Sequence, residues 1–168
     1  MGATRIVAET DGRITFEQGD IGGITLRGRA DRIEIRDDGT LAIIDFKTGE
    51  PPDLNEARLG KNPQLTLEAA MAARGAFKNV PAAETSELFY VGLRGHENAS
   101  LRPIHGEEHD AMEMAEDHLQ RVLDLIAAYC RGERPFLSRV HVKKTSYAGD
   151  YDHLARVREW SAAGENDE

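Results

Sequence analysis

The sequence contains few of the features that mark exported or membrane proteins. Cys130 is the only cysteine among 168 residues, which excludes an intramolecular disulfide framework and an all-cysteine metal cluster within the chain. No apolar run approaches the ~20 residues that a membrane-spanning helix needs, and residues 1–9 contain no apolar signal core. We therefore expect a cytoplasmic protein without a membrane partner.

Positive charge is also scarce. The chain has 21 Lys and Arg residues against 30 Asp and Glu residues, so its formal net charge is −9. A free-standing nonspecific DNA-binding protein normally presents a basic face, and this balance argues against that class. A nuclease stays possible, because a metal centre needs carboxylates and a larger assembly can supply the basic channel. The given sequence lacks a Gly-x-x-x-x-Gly-Lys-Ser/Thr motif, so we expect any ATPase motor to belong to other parts or partners.

The length and the 40% hydrophobic content are typical of one globular domain. Alternating runs rich in β-branched residues predict antiparallel strands with short turns in the first part of the chain, and Gly12, Gly19, Gly22 and Gly23 punctuate these runs. Residues 95–106 predict a loop. Strands are predicted at 6–9, 14–17, 24–26, 29–36, 40–48 and 87–93.

Helical periodicity and capping residues predict the remaining elements. Asp53 is the expected N-cap of a short helix. The longest helix has an apolar stripe that reaches Cys130, which we interpret as a core residue. Helices are predicted at 53–59, 63–74, 107–131 and 151–160, with a disordered tail at 164–168. These elements predict an α/β fold: a mixed sheet of about five strands flanked by helices, with the active site at one edge.

The informative part of the sequence is a hairpin that brings two aspartates together. If residues 37–39 form a three-residue loop with Gly39 in the left-handed position, Arg36 pairs with Thr40. The same register sets Asp31 directly opposite Asp45. It also sets Arg29 opposite Lys47. Strand alternation then gives one face that is apolar near the turn and charged at its far end.

Two opposed aspartates destabilise a sheet unless a cation lies between them. Carboxylate oxygens on neighbouring strands can converge on one Mg²⁺ or Mn²⁺ ion, and such hard ligands disfavour Zn²⁺. Lys47 lies two residues beyond Asp45 on the same face, roughly 7 Å along the strand. It is therefore in reach of an attacking water and a phosphate oxygen.

Simpler interpretations remain open at this point. A single Asp-x-Lys on a strand is common, Asp31 can be an edge-strand charge, and a slip of one residue would send Asp31 and Asp45 to opposite faces. His105 and His109, with His118, could share a metal, although solvated residues at a helix start are the simpler interpretation. The basic cluster at 139–144 can contact phosphates or be a solvated loop.

The combination of motifs is more specific than any one of them. Three motifs follow one another along the chain: Gly28-Arg29-Ala30-Asp31, then Asp45-Phe46-Lys47-Thr48-Gly49, and then Gln64 at the start of a predicted helix. This order resembles the RecB-type nucleases of the PD-(D/E)XK superfamily over residues 22–77, and residues 63–70 are most similar to the C-terminal nuclease domain of AddB-type subunits. The resemblance implies a PD-(D/E)XK restriction-endonuclease-like core spanning residues 1–163, cut from a longer chain that carries an upstream helix.

The resemblance also implies roles for individual residues. Asp31 and Asp45 would bind Mg²⁺ or Mn²⁺ with the Phe46 backbone carbonyl as a further ligand, Lys47 would orient or activate the water, and Gln64 would contact the substrate or the active-site network. No iron–sulfur cluster is expected. The other candidates for DNA contact are Thr48, Lys61 and Arg29, with Lys143 and Lys144 as weaker ones.

The implied activity is Mg²⁺-dependent exonucleolytic hydrolysis of DNA single strands, delivered by an AddA-like helicase subunit during double-strand-break repair. An alternative is a catalytically inactive nuclease-fold module that docks a partner and guides DNA. The acidic charge, the missing upstream motif and Glu68 in place of the family's tyrosine favour that alternative. A stand-alone endonuclease is a third interpretation, but it would need its own basic groove.

Overall fold

The computed structural model describes residues 2–93 and 100–136. Five strands there form one sheet in the order β1-β2-β3-β4-β5. The β3 and β4 strands run parallel, and the other neighbouring pairs run antiparallel. The strands are Ala3–Glu17 (β1), Gly23–Arg36 (β2), Leu41–Lys47 (β3), Thr85–Gly92 (β4) and Ser100–Pro103 (β5). The predicted mixed α/β sheet of about five strands with flanking helices is confirmed.

Three α-helices follow the predicted positions. They are Leu54–Arg58 (α1), Gln64–Ala73 (α2) and Ala111–Cys130 (α3). The Asp53 carboxylate caps α1 as expected by accepting hydrogen bonds from two backbone N–H groups of its first turn. Asp110 caps α3 in the same way, which explains why α3 begins later than residue 107. The helix predicted at 151–160 and the tail at 164–168 lie outside the described residues.

The first two strands form one long hairpin, so the prediction of several short strands was wrong here. The β1 strand continues through Gly12, and β2 continues through Gly28, which pairs with Gly12. A Cβ atom on Gly12 would lie 2.6 Å from two atoms of the Phe77 ring. Gly12 therefore permits close packing of a neighbouring segment and is not a turn residue.

Two further predictions need correction. The predicted loop at 95–106 contains β5, a four-residue edge strand that ends in Pro103 and pairs with β4. Its shortness and its proline hide it from periodicity, because edge strands tolerate proline where central strands do not. Cys130 is exposed and is not a core residue. The buried stripe of α3 ends at Ala127, one turn before Cys130.

The core lies between one face of the sheet and the helices α2 and α3. Ile33, Leu41 and Ile43 of the β2–β3 hairpin are fully buried there, as predicted for its apolar end. The buried residues of α2 pack against them, and these include the polar Thr66 and Glu68. This packing holds the first turn of α2 against the end of β3. No helix among the described residues has the length and apolar character needed to cross a membrane.

Candidate active site

The hairpin between β2 and β3 has the predicted register. Gly39 has a φ of +84°, and the Arg36 backbone N–H donates to the Thr40 carbonyl at 2.8 Å. The ladder then runs from Ile35 opposite Leu41 to Arg32 opposite Ile44. One step beyond that last pair, Asp31 comes beside the segment of Asp45, and the Phe46 backbone N–H donates to Asp31 Oδ2 at 2.9 Å.

The carboxylates of the hairpin lie at the C-terminal end of β3. Asp45 is 2% exposed, whereas Asp31 is half-buried. Lys47 Nζ lies 2.7 Å from Asp45 Oδ2, so the lysine and the aspartate form an ion pair. The sequence analysis had placed the site at one edge of the sheet. Because β3 is the middle strand of five, the site instead lies at the end of the central strand.

The helix α2 contributes Gln64 to the same place. The Gln64 Nε2 group donates to Asp45 Oδ1 at 2.7 Å, and Lys47 Nζ donates to Gln64 Oε1 at 3.1 Å. One amide thus fixes the orientation of the carboxylate and the ammonium at once. Gln64 was predicted near this site, and its contacts make it part of the Asp45–Lys47 network.

Glu68 lies one turn further along α2 and belongs to the same network. Gln64 Nε2 donates to Glu68 Oε1 at 3.2 Å, while the buried Glu68 Oε2 has no hydrogen-bond partner in the part of the chain that the structure describes. Burial raises the pKa of the Glu68 carboxyl to about 8, the Gln64 hydrogen bond opposes this, and the charges of Asp45 and Asp31 add to it. Both aspartates therefore act on the same buried group, and Glu68 is neutral at pH 7. Sequence reasoning noted Glu68 only as a departure from a motif, although its spacing of four from Gln64 is a signal of contact.

The parallel strand β4 contributes Tyr90, which the sequence did not reveal. Tyr90 pairs with Asp45 in the ladder and is 1% exposed. Its ring centroid lies 5.8 Å from Lys47 Nζ, within reach of a cation–π attraction. Burial and then the Asp45 and Glu68 charges raise the pKa of Tyr90 to about 12, so its hydroxyl stays protonated. The Tyr90 ring thus lies on one side of the Lys47 ammonium group.

The oxygen donors at this site fit Mg²⁺. That ion keeps several waters and is typically held by one or two carboxylates together with substrate phosphates. Asp31 and Asp45 offer two carboxylates here. Among the described residues the buried Asp45 Oδ2 accepts no hydrogen bond, although Lys47 Nζ lies 2.7 Å away as its ion-pair partner. Within residues 2–93 and 100–136, no group of three His, Cys, Asp or Glu side chains is arranged around a common point. A metal that demands a full protein cage therefore fits poorly.

The other predicted DNA-contact residues are not brought into this network. Arg29 pairs with Glu9 at 2.7 Å. Since the β2–β3 ladder ends at Arg32, the expected pairings of Asp31 with Asp45 and of Arg29 with Lys47 both lie beyond it. Thr48 is exposed in the bend after β3, and Lys61 forms an exposed ion pair with Glu56 at 3.6 Å. Lys143 and Lys144, like the rest of the basic cluster at 139–144, lie outside the described residues.

The histidines considered as metal ligands have structural partners. The His118 ring is buried, with Nδ1 2.8 Å from Thr66 Oγ1 and Nε2 3.0 Å from the Arg58 carbonyl oxygen. Burial lowers the pKa of His118, in keeping with a neutral core residue. His105 Nδ1 lies 3.0 Å from the Leu88 backbone nitrogen. Both rings therefore bond within the fold, and the expectation of a solvated residue at a helix start is wrong for His118, which is buried in the middle of α3.

The raised pKa of Glu68 predicts how stability depends on pH. Between the ordinary glutamate pKa of 4.5 and the folded value of about 8, only the folded state keeps this proton. In EDTA the free energy of unfolding should therefore fall as the pH rises through that window, by on the order of 1 kcal/mol per pH unit. Urea unfolding at several pH values measures it, and Glu68→Gln should lose the effect. If the free energy of unfolding fell equally with pH in Glu68→Gln and in wild type, the raised pKa of Glu68 would not be its cause. Glu107 is exposed, so the control variant Glu107→Gln should keep the wild-type pH dependence.

Two uncharacterized bacterial proteins are similar to this chain in sequence. A Rickettsia bellii protein is 30% identical over 144 residues, which are 78% of this chain and 16% of that protein. A Rickettsia typhi protein is 39% identical over 72 residues, 42% of this chain and 8% of that protein. The chain thus spans only a small part of the length of these relatives.

A solved structure and a family model also match. The structure described as "Crystal structure of SSO0001" has a TM-score of 0.41 and 18% sequence identity, covering 69% of this chain and 50% of that one. The model of the PD-(D/E)XK nuclease superfamily matches residues 3–141, a span that contains the β2–β3 hairpin and the start of α2. By this match over most of its length, the chain belongs to the PD-(D/E)XK nuclease superfamily.

Proposed function

We propose that this domain is a Mg²⁺- or Mn²⁺-dependent DNA exonuclease of the RecB type, within an AddB-like subunit of a cytoplasmic helicase–nuclease. One observation carries the proposal. Lys47 Nζ lies 2.7 Å from Asp45 Oδ2 on β3, and the carboxylate of Asp31 accepts a hydrogen bond from the next residue of that strand, Phe46. Two acids and an ammonium group are thus gathered at one strand end.

Each residue has a role in phosphodiester hydrolysis. Asp31 and Asp45 would hold the divalent ion, with the Phe46 carbonyl as a candidate further ligand. When bound, the ion supplies Lewis acidity that neutralises charge developing on the phosphate and lowers the pKa of a bound water. Lys47 donates hydrogen bonds to the attacking water and to a phosphate oxygen, which orients the water and stabilises the negative charge that builds up there.

The neighbours of Lys47 keep it in place for that task. Gln64 accepts one of its hydrogen bonds and donates to Asp45, so it fixes the distance between ammonium and carboxylate. Tyr90 lies on one side of the ammonium. Glu68 is neutral at pH 7 and adds no repulsion toward an incoming phosphate. In this account Gln64 and Glu68 are positioning residues.

The choice of substrate rests on the family resemblance and on the relatives' length. The chain corresponds to 16% or less of the two relatives described above, which suits one domain of a multidomain machine. An AddA-like helicase partner would unwind duplex DNA and deliver single strands. Such an assembly also supplies the positive charge that a chain of net charge −9 lacks as a whole.

A comparison of linear and circular single-stranded DNA tests the proposal. We expect the 168-residue chain, or its complex with the helicase subunit, to degrade an end-labelled linear strand in Mg²⁺ or Mn²⁺ and to be inactive in EDTA. The circle should resist, because an exonuclease needs a free end. Cleavage of the circle at the same rate would instead indicate an endonuclease, and no cleavage of either substrate by the complex would refute the proposal.

A docking module without catalysis is the second candidate. It is favoured by the net charge of −9 and by the Lys47 ammonium, which already neutralises Asp45 without any metal. This candidate predicts no calorimetric signal when Mn²⁺ is titrated into the protein. The exonuclease proposal predicts binding that Asp31→Asn removes.

A further inference from the structure

A basic groove runs along the far part of the β1–β2 hairpin, away from the β2–β3 turn. Its volume is about 560 Å³, and it is lined by the hairpin and by the segment after α2, whose backbone is hydrogen-bonded to β1 at Asp11 and Arg13. The only acidic side chain among the residues that line it is Asp11. Four basic ones oppose that charge. The lining residues are Asp11, Gly12, Arg13, Arg27, Gly28, Arg29, Ala76 and Lys78.

The arrangement of these charges is unfavourable for the fold alone. Arg13 and Arg27 are directly opposed in the β1–β2 ladder, and like charges in that position destabilise a sheet. Both side chains are exposed, and among the described residues neither has an ion-pair partner. The pair at Thr15 and Thr25, two positions along, is uncharged and joined by a hydrogen bond of 2.8 Å between hydroxyl oxygens. The two arginines are therefore a concentrated, unneutralised positive charge in a protein of net charge −9.

Two of the residues that line the groove are glycines. Gly12 and Gly28 are paired with each other and lie beside the Arg13–Arg27 pair. The backbone there packs on Phe77, whose ring leaves no space for a Cβ atom on Gly12. Phe77 therefore fills that face of the ladder, and by strand alternation the exposed Arg13 and Arg27 side chains project from the opposite face.

The groove begins close to the candidate active site. Arg29 precedes Asp31 by two residues on β2, which corresponds to roughly 7 Å along a strand. Arg27 follows at twice that separation, with Arg13 beside it on β1. A chain of phosphates that enters the site at Asp31 would first meet Arg29, whose exposed ion pair with Glu9 it would have to replace, and then Arg27 and Arg13.

We infer that this groove, defined as Arg13, Arg27, Arg29 and Lys78, binds the sugar–phosphate backbone of the nucleic-acid strand that reaches Asp31 and Asp45. The inference rests on the proposed nuclease function for the identity of the strand. Guanidinium groups match phosphate oxygens with paired, charge-assisted hydrogen bonds. Phosphates between Arg13 and Arg27 would also remove the repulsion of that pair. An acidic peptide satisfies the charge but gives no reason for the groove to lead to Asp31.

Reversing the charge of one arginine gives opposite effects on stability and on binding. In Arg27→Glu the residue opposite Arg13 carries the opposite charge, so the repulsion becomes an attraction and the melting temperature should stay the same or rise. The affinity for a fluorescent oligothymidylate, measured by anisotropy in Ca²⁺ to prevent cleavage, should fall at least about tenfold. The slope of log affinity against log salt should also become shallower, by about 0.7 for each lost phosphate contact.

Arg102→Glu is the matched control. Arg102 lies on β5, at the opposite edge of the sheet, and carries no ion pair among the described residues. Arg102→Glu makes the same change in net charge as Arg27→Glu. Because Arg102 lies away from the groove, the affinity and the salt slope of this variant should stay near those of wild type. Equal losses in Arg27→Glu and Arg102→Glu would mean a general charge effect and would overturn the inference.

The remaining outcomes separate the groove from the nuclease proposal. If the wild-type protein cleaves DNA and Arg27→Glu binds oligothymidylate as tightly as wild type does, the proposed role of the groove is wrong and the nuclease proposal still stands. If Arg27→Glu loses oligothymidylate binding but neither the wild-type protein nor its complex cleaves DNA, the groove binds nucleic acid and the nuclease proposal is wrong. Displacement of the oligonucleotide by an equal concentration of oligoglutamate would overturn the nucleic-acid assignment in favour of an acidic peptide.

Discussion

Asp45→Asn is expected to lower divalent-dependent cleavage of a linear DNA strand by at least about a hundredfold, the scale of losing one group that stabilises transition-state charge. Asp45 has the most buried carboxylate at the site, at 2% exposure. Asparagine keeps its shape and the hydrogen bond from Gln64 can persist, but its amide has no charge with which to hold a cation. Initial rates on an end-labelled strand at saturating Mg²⁺ measure the loss.

An aspartate of the same hairpin provides the control. Asp37 lies in the turn before β3, exposed and at the other end of that strand. Asp37→Asn should cleave at the wild-type rate. The circular dichroism spectrum of Asp45→Asn should match that of wild type. A folded Asp45→Asn protein with undiminished cleavage would remove Asp45 from the mechanism.

Lys47→Met should lose cleavage on a similar scale while it keeps the metal. Methionine is similar in length to the aliphatic stem of lysine and lacks the ammonium group that lies 5.8 Å from the Tyr90 ring centroid. Because that ammonium lies 2.7 Å from Asp45 Oδ2 and competes electrostatically with a cation, Mn²⁺ should bind with equal or higher affinity. Rates and calorimetric Mn²⁺ titrations of the same preparation give both quantities.

The split between these two quantities identifies the role of Lys47. A residue that only supports the fold would lower metal binding and cleavage together. Lys47→Met that loses Mn²⁺ binding would therefore argue that the lysine organises the carboxylates and does not act on the water. Full activity in Lys47→Met would exclude it from the reaction.

Short-range sequence patterns were enough to predict the β2–β3 hairpin and the start of α2. The glycine at position 39 sets the turn, the turn sets the register, and the register brings Asp31 beside Phe46, the residue after Asp45. Pro63 marks the point where α2 begins, so Gln64 comes at its first turn. Each of these relations extends over few residues and depends on backbone geometry more than on packing.

The remainder of the site depends on tertiary contacts that the sequence does not encode locally. Tyr90 reaches Lys47 only because β4 pairs in parallel with β3, and a parallel partner is joined through a long crossover. Glu68 is buried because α2 packs onto the sheet with that face inward. Gly12 was misread for a similar reason: a glycine that permits packing on Phe77 has the same local signature as a turn glycine.

The claim that Asp31 and Asp45 jointly hold one divalent ion is tested most directly by a calorimetric Mn²⁺ titration of wild type, Asp31→Asn and Asp45→Asn. We predict a single binding event in the wild-type protein and its loss in each variant, since neither carboxylate alone keeps the ion. Wild-type Mn²⁺ affinity in both folded variants would contradict the account.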